Sequence, residues 1–246
     1  MLHIWQIAMR LYRFYVAGKI PSQGLFDVVD EDLANQLKRV LRLKIGYEIT
    51  VFNGDGQDHE CLINEFAKDK VILQIKKTYP SRYMPVHEIW LCAAVIKKDN
   101  FEWTVEKATE LGVSHIIPIL SDRSEKKSLN IERLEKIIIE ASEQSGRGNV
   151  PTIYPIMKLN EAIEHIRHKF ARGTSEVLAF HTEGELFQDA ILDKKNPTAL
   201  FIGPEGGWSE KEVDLFHKDN IPLKCLGKQV LRAETAVVAA LAKVVF

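Results

Sequence analysis

No stretch of this chain approaches the roughly 18 to 20 consecutive apolar residues that a membrane-spanning helix requires. The partly apolar start from Leu2 to Ala8 is broken by His3 and Gln6, with no basic region before it and no small-residue cleavage pattern after it. Neither a membrane segment nor a secretory leader is expected, and the expected location is the cytoplasm. Cysteine is scarce: Cys61, Cys92 and Cys225 are far apart, odd in number and without a C-x-x-C pair. That pattern suits a reducing compartment and speaks against a disulfide framework or a structural zinc site. An excess of charge of one sign is also missing, since 33 basic residues face 34 acidic ones for a formal net charge of −1. No global field draws the molecule to phosphate, so any nucleic-acid contact has to come from a local basic patch. Internal repeats and low-complexity tracts are absent as well.

What is present is an ordinary globular composition, 46% hydrophobic and 27% charged, on a chain of 246 residues, long enough for one or two domains. Residues 1–80 read as short strands joined by turns: Arg13 to Ala17 is aromatic and β-rich, Glu48 to Asn53 alternates before the turn Gly54-Asp55-Gly56, and Val71 to Ile75 is another apolar run. The segment TYPSRYMP from Thr78 to Pro85, with two prolines, reads as a hand-over between domains. From residue 81 to 246 the period changes. A strand from Ile89 to Ile96 precedes a helix from Glu102 to Leu111, stopped by Gly112 before a strand from Ile116 to Leu120. Helices follow at Ile131 to Ser145 (with Asn130 as N-cap), Asn160 to His168 and Ser209 to His217, strands at Val177 to Phe180, Thr198 to Ile202 and near Leu223, and a terminal helix from Glu234. Strands separated by helices predict a mostly parallel sheet covered on both faces.

Two segments carry chemistry. In the first, the apolar strand from Thr198 runs into Gly203, Pro204, Glu205, Gly206 and Gly207, and a capping box of Ser209 and Glu212 starts a helix directly after the loop. Glycines there let a ligand approach backbone amides, and the helix turns its positive end towards them. An ordinary strand-to-helix turn has the same composition. The spacing G-x-x-G-G is not the G-x-G-x-x-G of dinucleotide folds and lacks the Lys-Ser/Thr of a P-loop. The second, LGKQVLRAETA from Leu226 to Ala236, repeats strand, loop and helix and ends in a helix apolar on every side, which has to be buried by the fold or by a second subunit.

Together these segments resemble the SPOUT class of methyltransferases, and in detail the ribosomal RNA small subunit methyltransferase E family. Ordered matches add to the resemblance: MRLYRFYV (Met9 to Val16), VLRLKIG (Val40 to Gly46), FEWTVEKATELGV (Phe101 to Val113), Arg123-Ser124, and EASEQSGRGNVP (Glu140 to Pro151). Residues 1–8 precede the family's usual start, and Asn35-Gln36 stand where it often has a histidine. The resemblance implies a trefoil-knotted parallel α/β domain, a small N-terminal PUA-like β-barrel for RNA, a homodimer, and S-adenosylmethionine as methyl donor. The implied acceptor is N3 of a uridine in the decoding region of 16S ribosomal RNA within the 30S subunit. General topology rules argue against threading, so the knot rests on the resemblance alone.

For the donor, the expected residues are Gly203, Pro204, Glu205, Gly206 and Gly207 beside ribose and methionine, Leu226, Gly227, Leu231 and Ala233 beside adenine, with His181 and Thr182 on a neighbouring loop and Arg232, Thr235 and Ala236 completing the segment. Arg232 is a candidate to stabilise the uridine anion or to serve in a structural ion pair, and Glu234 and Glu205 are the nearby carboxylates, of which Glu205 equally suits a solvent-facing place. Glu234 equally suits the N-terminus of the last helix. A nitrogen acceptor needs no covalent intermediate, and no cysteine here has a neighbouring base in sequence. For RNA the candidates are Arg10, Arg13, Lys38, Arg39, Arg42 and Lys44, with acidic residues at Asp27 to Asp32 nearby, and Arg123 and Arg147 in the second domain. His165 and His168 read as a solvated helix face rather than a metal site. Competing readings are methylation of another position such as a ribose hydroxyl, a non-catalytic ribosome-assembly module, and a nucleotide-dependent metabolic enzyme without a matching phosphate motif.

Overall fold

A computed structural model describes residues 12–124, 128–170, 175–188 and 195–246. The chain groups into two compact units, Met1–Met84 with Ser142–Asn149, and Pro85–Ala141 with Val150–Phe246. The presumed linker is different in part: Thr78 to Pro80 finish a strand, and the division lies after Met84.

The first unit holds β1 (Arg13–Tyr15), β2 (Gly24–Val29), α1 (Glu31–Asn35), a π-helical turn at Gln36–Val40, β3 (Glu48–Phe52), β4 (Gln57–Phe66) and β5 (Lys70–Pro80). Its five-stranded sheet runs β1-β3-β4-β5-β2, with β1 parallel to β3 and the other pairs antiparallel. Two register shifts in the β4–β5 pair give this long ribbon the local bends that a curled sheet needs. Leu37, Val51, Cys61, Val71 and Leu73 are among the side chains closing its core. Buried polar groups meet at Arg13, which is 2% exposed, pairs with Asp58 at 2.9 Å, donates to the carbonyls of Ser142 (3.1 Å) and Arg147 (2.8 Å), and stacks its guanidinium 3.4 Å from the Phe52 ring centroid.

The second unit holds β6 (Ile89–Ala94), α2 (Lys98–Glu110), β7 (His115–Leu120), α3 (Ile131–Ser145, its last turn grouped with the first unit), β8 (Thr152–Ile153), β9 (Met157–Lys158), α4 (Leu159–Lys169), β10 (Glu176–Leu186), β11 (Thr198–Ile202), α5 (Glu210–Lys218), β12 (Leu223–Cys225) and α6 (Ala233–Val245). The sheet order is β12-β10-β11-β6-β7-β8, with β9 also on β7, and every described pair is parallel. Both faces are buried because alternate side chains serve opposite cores. Leu91, Ala93, Leu200 and Ile202 pack with α2, α3 and α6, whereas Trp90, Cys92, Ala199 and Phe201 pack with α4 and α5. The chain's end returns from the edge strand β12 to set α6 against α2 and the inner strand β11. This return and the all-parallel sheet fit the SPOUT-type domain that the resemblance implies. Among the described residues no helix is long and apolar enough to cross a membrane.

The solvated face expected for His165 is corrected. His165 packs 5.1 Å from Tyr154 and 5.8 Å from Trp90, and Trp90 stacks on His115 at 3.8 Å; only His168 is exposed. Burial lowers the pKa of His115, against the opposing pull of Glu88, and burial likewise lowers that of His165, helped by Lys169 and His168. The folded state therefore holds fewer protons than the unfolded chain on these rings. Their contribution to stability is complete above the ordinary value of 6.5 and is lost progressively as pH falls below it. The thermal midpoint should drop between pH 7.5 and pH 5, and His115→Phe together with His165→Phe should flatten that drop; an equally steep fall in the double variant would contradict the assignment.

Candidate active site

Two strand-end loops and an irregular stretch of the strand between them meet in the second unit. The first follows β11. Gly203 lies close to the Trp208 ring, where a Cβ would press at 3.2 Å, and that ring is buried and donates its indole N–H to the carbonyl of Phe180 at 3.2 Å. The chain then turns sharply, the N–H of Gly207 donating to the carbonyl of Pro204 (2.8 Å), with Gly207 at φ 69°, a conformation glycine adopts without strain. Ser209 caps α5 and Glu212 returns the bond, as the sequence predicts. Glu212 is 4% exposed and does more than cap: its carboxylate accepts from the N–H groups of Ser209 (2.8 Å) and Asp122 (3.1 Å) and from the Ser121 hydroxyl (3.2 Å). It thereby ties the turn after β7 to this loop.

The second loop is an arch within β10. The β10–β12 register shifts between Phe180 and Glu185, which pushes His181, Thr182 and Glu183 out of the sheet. The third runs from Leu226 to Arg232 into α6. Between the three lies a cavity of about 410 Å³, a size in the range of small-molecule sites.

Of the expected donor residues, His181, Thr182, Gly203, Pro204, Glu205, Gly206, Gly207, Leu226, Gly227, Leu231, Ala233 and Ala236 line this cavity. Arg232 and Thr235 do not: both are exposed, and Arg232 serves as the N-cap position of α6. Glu234 is not on the wall either. It sits in the first turn of α6, half-buried, and accepts a hydrogen bond from the Asn100 amide at 3.4 Å. The structure thus brings Glu205 to the cavity but neither Arg232 nor Glu234. Sequence reasoning missed Phe180, Ile202, Glu183, Lys224, Cys225, Gln229 and Val230 on the wall, and it placed Arg123 with the RNA contacts although Arg123 lines the cavity. The Ile202 and Phe180 positions were legible in principle, as the last residues of two buried strands.

The basic candidates divide by burial. Lys38, Arg39, Arg42 and Lys44 are exposed on the first unit, around a π-helical turn after which Arg42 takes φ 55°. Arg13 and Arg147 are corrected, since both are buried, at 2% and 3% exposure. Arg13 is consumed by Asp58 and backbone carbonyls, while Arg147 bonds Asn149 and burial pushes its pKa down to about 10. Neither presents its charge to a ligand. Arg10 lies outside the described residues. Two thiols are out of reach of any nucleophilic role, because burial raises the Cys61 pKa to about 12 and that of Cys92 further.

Comparison with known proteins agrees with this geometry. The model of an RNA methyltransferase domain matches residues 82–245, and that of an RNA methyltransferase PUA domain matches residues 29–76. The chain is 30% identical to ribosomal RNA small subunit methyltransferase E of Synechocystis, over 95% of this chain and 77% of that one. It is 28% identical to the Rickettsia conorii protein of the same name, over 96% of both chains. Among solved structures it is similar to the Neisseria gonorrhoeae ribosomal RNA small subunit methyltransferase E bound to S-adenosylmethionine, with a TM-score of 0.84, 28% identity and coverage of 94% and 95%.

Proposed function

This chain belongs to the ribosomal RNA small subunit methyltransferase E family, and from that premise we propose that it methylates N3 of a uridine in 16S ribosomal RNA with S-adenosylmethionine, in the cytoplasm, on the 30S subunit and as a homodimer. The observation that carries the reading is the convergence of the β10 arch and two strand-end loops on one cavity whose wall suits that donor. Leu226, Leu231, Ala233 and Ala236 offer an apolar slot for a purine, the glycines of 203–207 leave backbone groups open to a ribose, and Glu183 and Glu205 offer negative charge to a cationic sulfur. When bound, the donor supplies a methyl group on a sulfonium, so that transfer to N3 leaves a neutral thioether and releases one proton to water.

The chain's own residues bind and orient. Trp208 and the Glu212 carboxylate hold the glycine loop rigid from below, which keeps the donor slot preorganised. Exposed Lys38, Arg39, Arg42 and Lys44 supply phosphate contacts that give affinity without sequence choice. Turning the uridine out of its stack costs a few kcal/mol, which the fit of the RNA on the protein has to offset. Val230 and Phe246, exposed at 80% and 84%, are apolar side chains that a second subunit would cover.

The test is transfer of labelled methyl from S-adenosylmethionine to 16S ribosomal RNA in unmodified small-subunit particles. Label in the RNA is expected; saturable donor binding with no label in any RNA would leave only a non-catalytic module. Cys225, half-buried on the cavity wall, allows a sharper check. Methylation of a pyrimidine carbon would need a thiol nucleophile, whereas N3 does not. Cys225→Ser should keep kcat within about threefold of the parent, and a loss of more than about 10³-fold with donor affinity intact would point to a covalent route.

A further inference from the structure

The site described above has a gap: the candidate arginine for stabilising the uridine anion, Arg232, is not on the cavity wall. Resting on the methyltransferase reading, we propose that Arg123 takes this role, donating guanidinium N–H groups to a uracil carbonyl oxygen as the N3 proton leaves.

Arg123 lies in the turn Ser121 to Ser124 directly after β7, where the Ser121 N–H donates to the Ser124 hydroxyl (3.2 Å), the Ser209 hydroxyl donates to the Asp122 carboxylate (2.7 Å), and Glu212 fixes Ser121 and Asp122. From this clamped base the side chain crosses to the glycine loop. Its methylenes lie against Gly206, where a Cβ would stand 3.4 Å from Arg123 Cδ, and its Nη1 donates to the carbonyl of Gly206 at 2.6 Å. One of five guanidinium N–H donors is thereby used for positioning, and the planar fork keeps the others on an exposed side chain at the cavity wall.

The charges around the cavity single out this residue. Among the described residues two cations stand on the wall, Arg123 and Lys224, and Lys224 pairs with Glu185 at 2.7 Å. No ion pair joins Arg123 to a carboxylate among the described residues, Glu183 and Glu205 of the same wall included. Those two carboxylates favour a sulfonium but oppose a second anion. When the uracil imide loses its proton to water, negative charge spreads onto O2 and O4, and a fixed cation at the wall lowers the cost of that step. A loop carbonyl that orients the guanidinium beforehand removes the reorganisation that a free surface arginine would require.

The experiment compares Arg123→Ala and Arg123→Lys with the parent in methylation of small-subunit particles, and measures S-adenosylmethionine affinity of each by calorimetry. Removing a preorganised donor to a developing anion lowers kcat by roughly 10²- to 10³-fold. For Arg123→Ala we expect a fall of this size, a donor Kd within about threefold of the parent, and a rising limb of the kcat profile displaced to higher pH, because the imide loses the cation that lowers its pKa. Arg123→Lys should recover part of the rate, keeping charge but not the fork. The proposal is overturned if kcat and its pH profile stay unchanged, or if donor affinity falls in parallel with rate, which would make Arg123 a mere strap on the Gly206 loop. Failure of the parent protein itself to label uridine, with donor affinity intact, would instead strike at the methyltransferase reading on which this proposal stands.

Discussion

Replacing Ala236 with tryptophan should abolish measurable binding of S-adenosylmethionine while leaving the protein folded. Ala236 stands in the first turns of α6, half-buried, with its methyl group on the cavity wall beside Ala233 and Leu231. An indole at that place occupies the slot proposed for the purine, and because Ala236 borders an open cavity of about 410 Å³, the overpacking strain is less than in a closed core. A loss of affinity of more than about 100-fold, near 3 kcal/mol, is expected by calorimetry, with the thermal midpoint within a few degrees of the parent. A folded variant with parental donor affinity would place the donor somewhere other than this cavity.

A second large effect is expected within the first unit, and on stability rather than on binding. Arg13→Ala strands the Asp58 carboxylate, 4% exposed and otherwise holding the Ser81 hydroxyl at 2.6 Å, and it also leaves the Ser142 and Arg147 carbonyls without their guanidinium donors. Breaking a buried pair from one side costs about 3 to 5 kcal/mol. For a unit of this size the thermal midpoint should fall by roughly 15 °C or more. Arg13→Lys should recover little, since an ammonium cannot serve two carboxylate oxygens and two carbonyls while stacking on Phe52. By contrast, Arg39→Ala at the exposed turn should change stability by less than about 0.5 kcal/mol. Unfolding of the Arg13→Ala protein at the parental midpoint would mean that the pair contributes nothing net.

These two arginines show where the sequence is legible and where it is not. Arg13 and Arg39 look alike in the chain, both basic and both near β-rich segments, and only the fold decides that one is sealed between Asp58 and Phe52 while the other meets solvent. Charge pattern carries no information about burial when the neutralising partner lies 45 residues away. Local signals fared better. The Ser209–Glu212 capping box, the Asn130 cap and the glycine stop after α2 are interactions within a few residues, and each stands where the sequence predicts.

The donor cavity was legible in the same graded way. Two of its walls announce themselves as glycine-bearing turns after apolar strands, because backbone access needs missing Cβ atoms. The third, the His181–Glu183 arch, depends on a register shift between β10 and β12, a property of a pair of strands that neither strand encodes alone. Arg123 was assigned to RNA for a related reason. Its place at the cavity follows from Glu212, 89 residues later in the chain than Arg123, binding the turn on which it sits. Conversely, helical phase removed Glu234 and Arg232 from the wall although their neighbours Ala233 and Ala236 remain on it, since successive residues of a helix face different directions.

The central claim is that the arch within β10 and the loops after β11 and β12 hold a methyl donor against a uracil turned out of 16S ribosomal RNA. Its most direct test is to digest small-subunit RNA labelled by this protein to nucleosides and identify the one that carries the methyl group. The account predicts a single product, uridine methylated at N3; label on cytosine, on a uracil carbon or on ribose would contradict it.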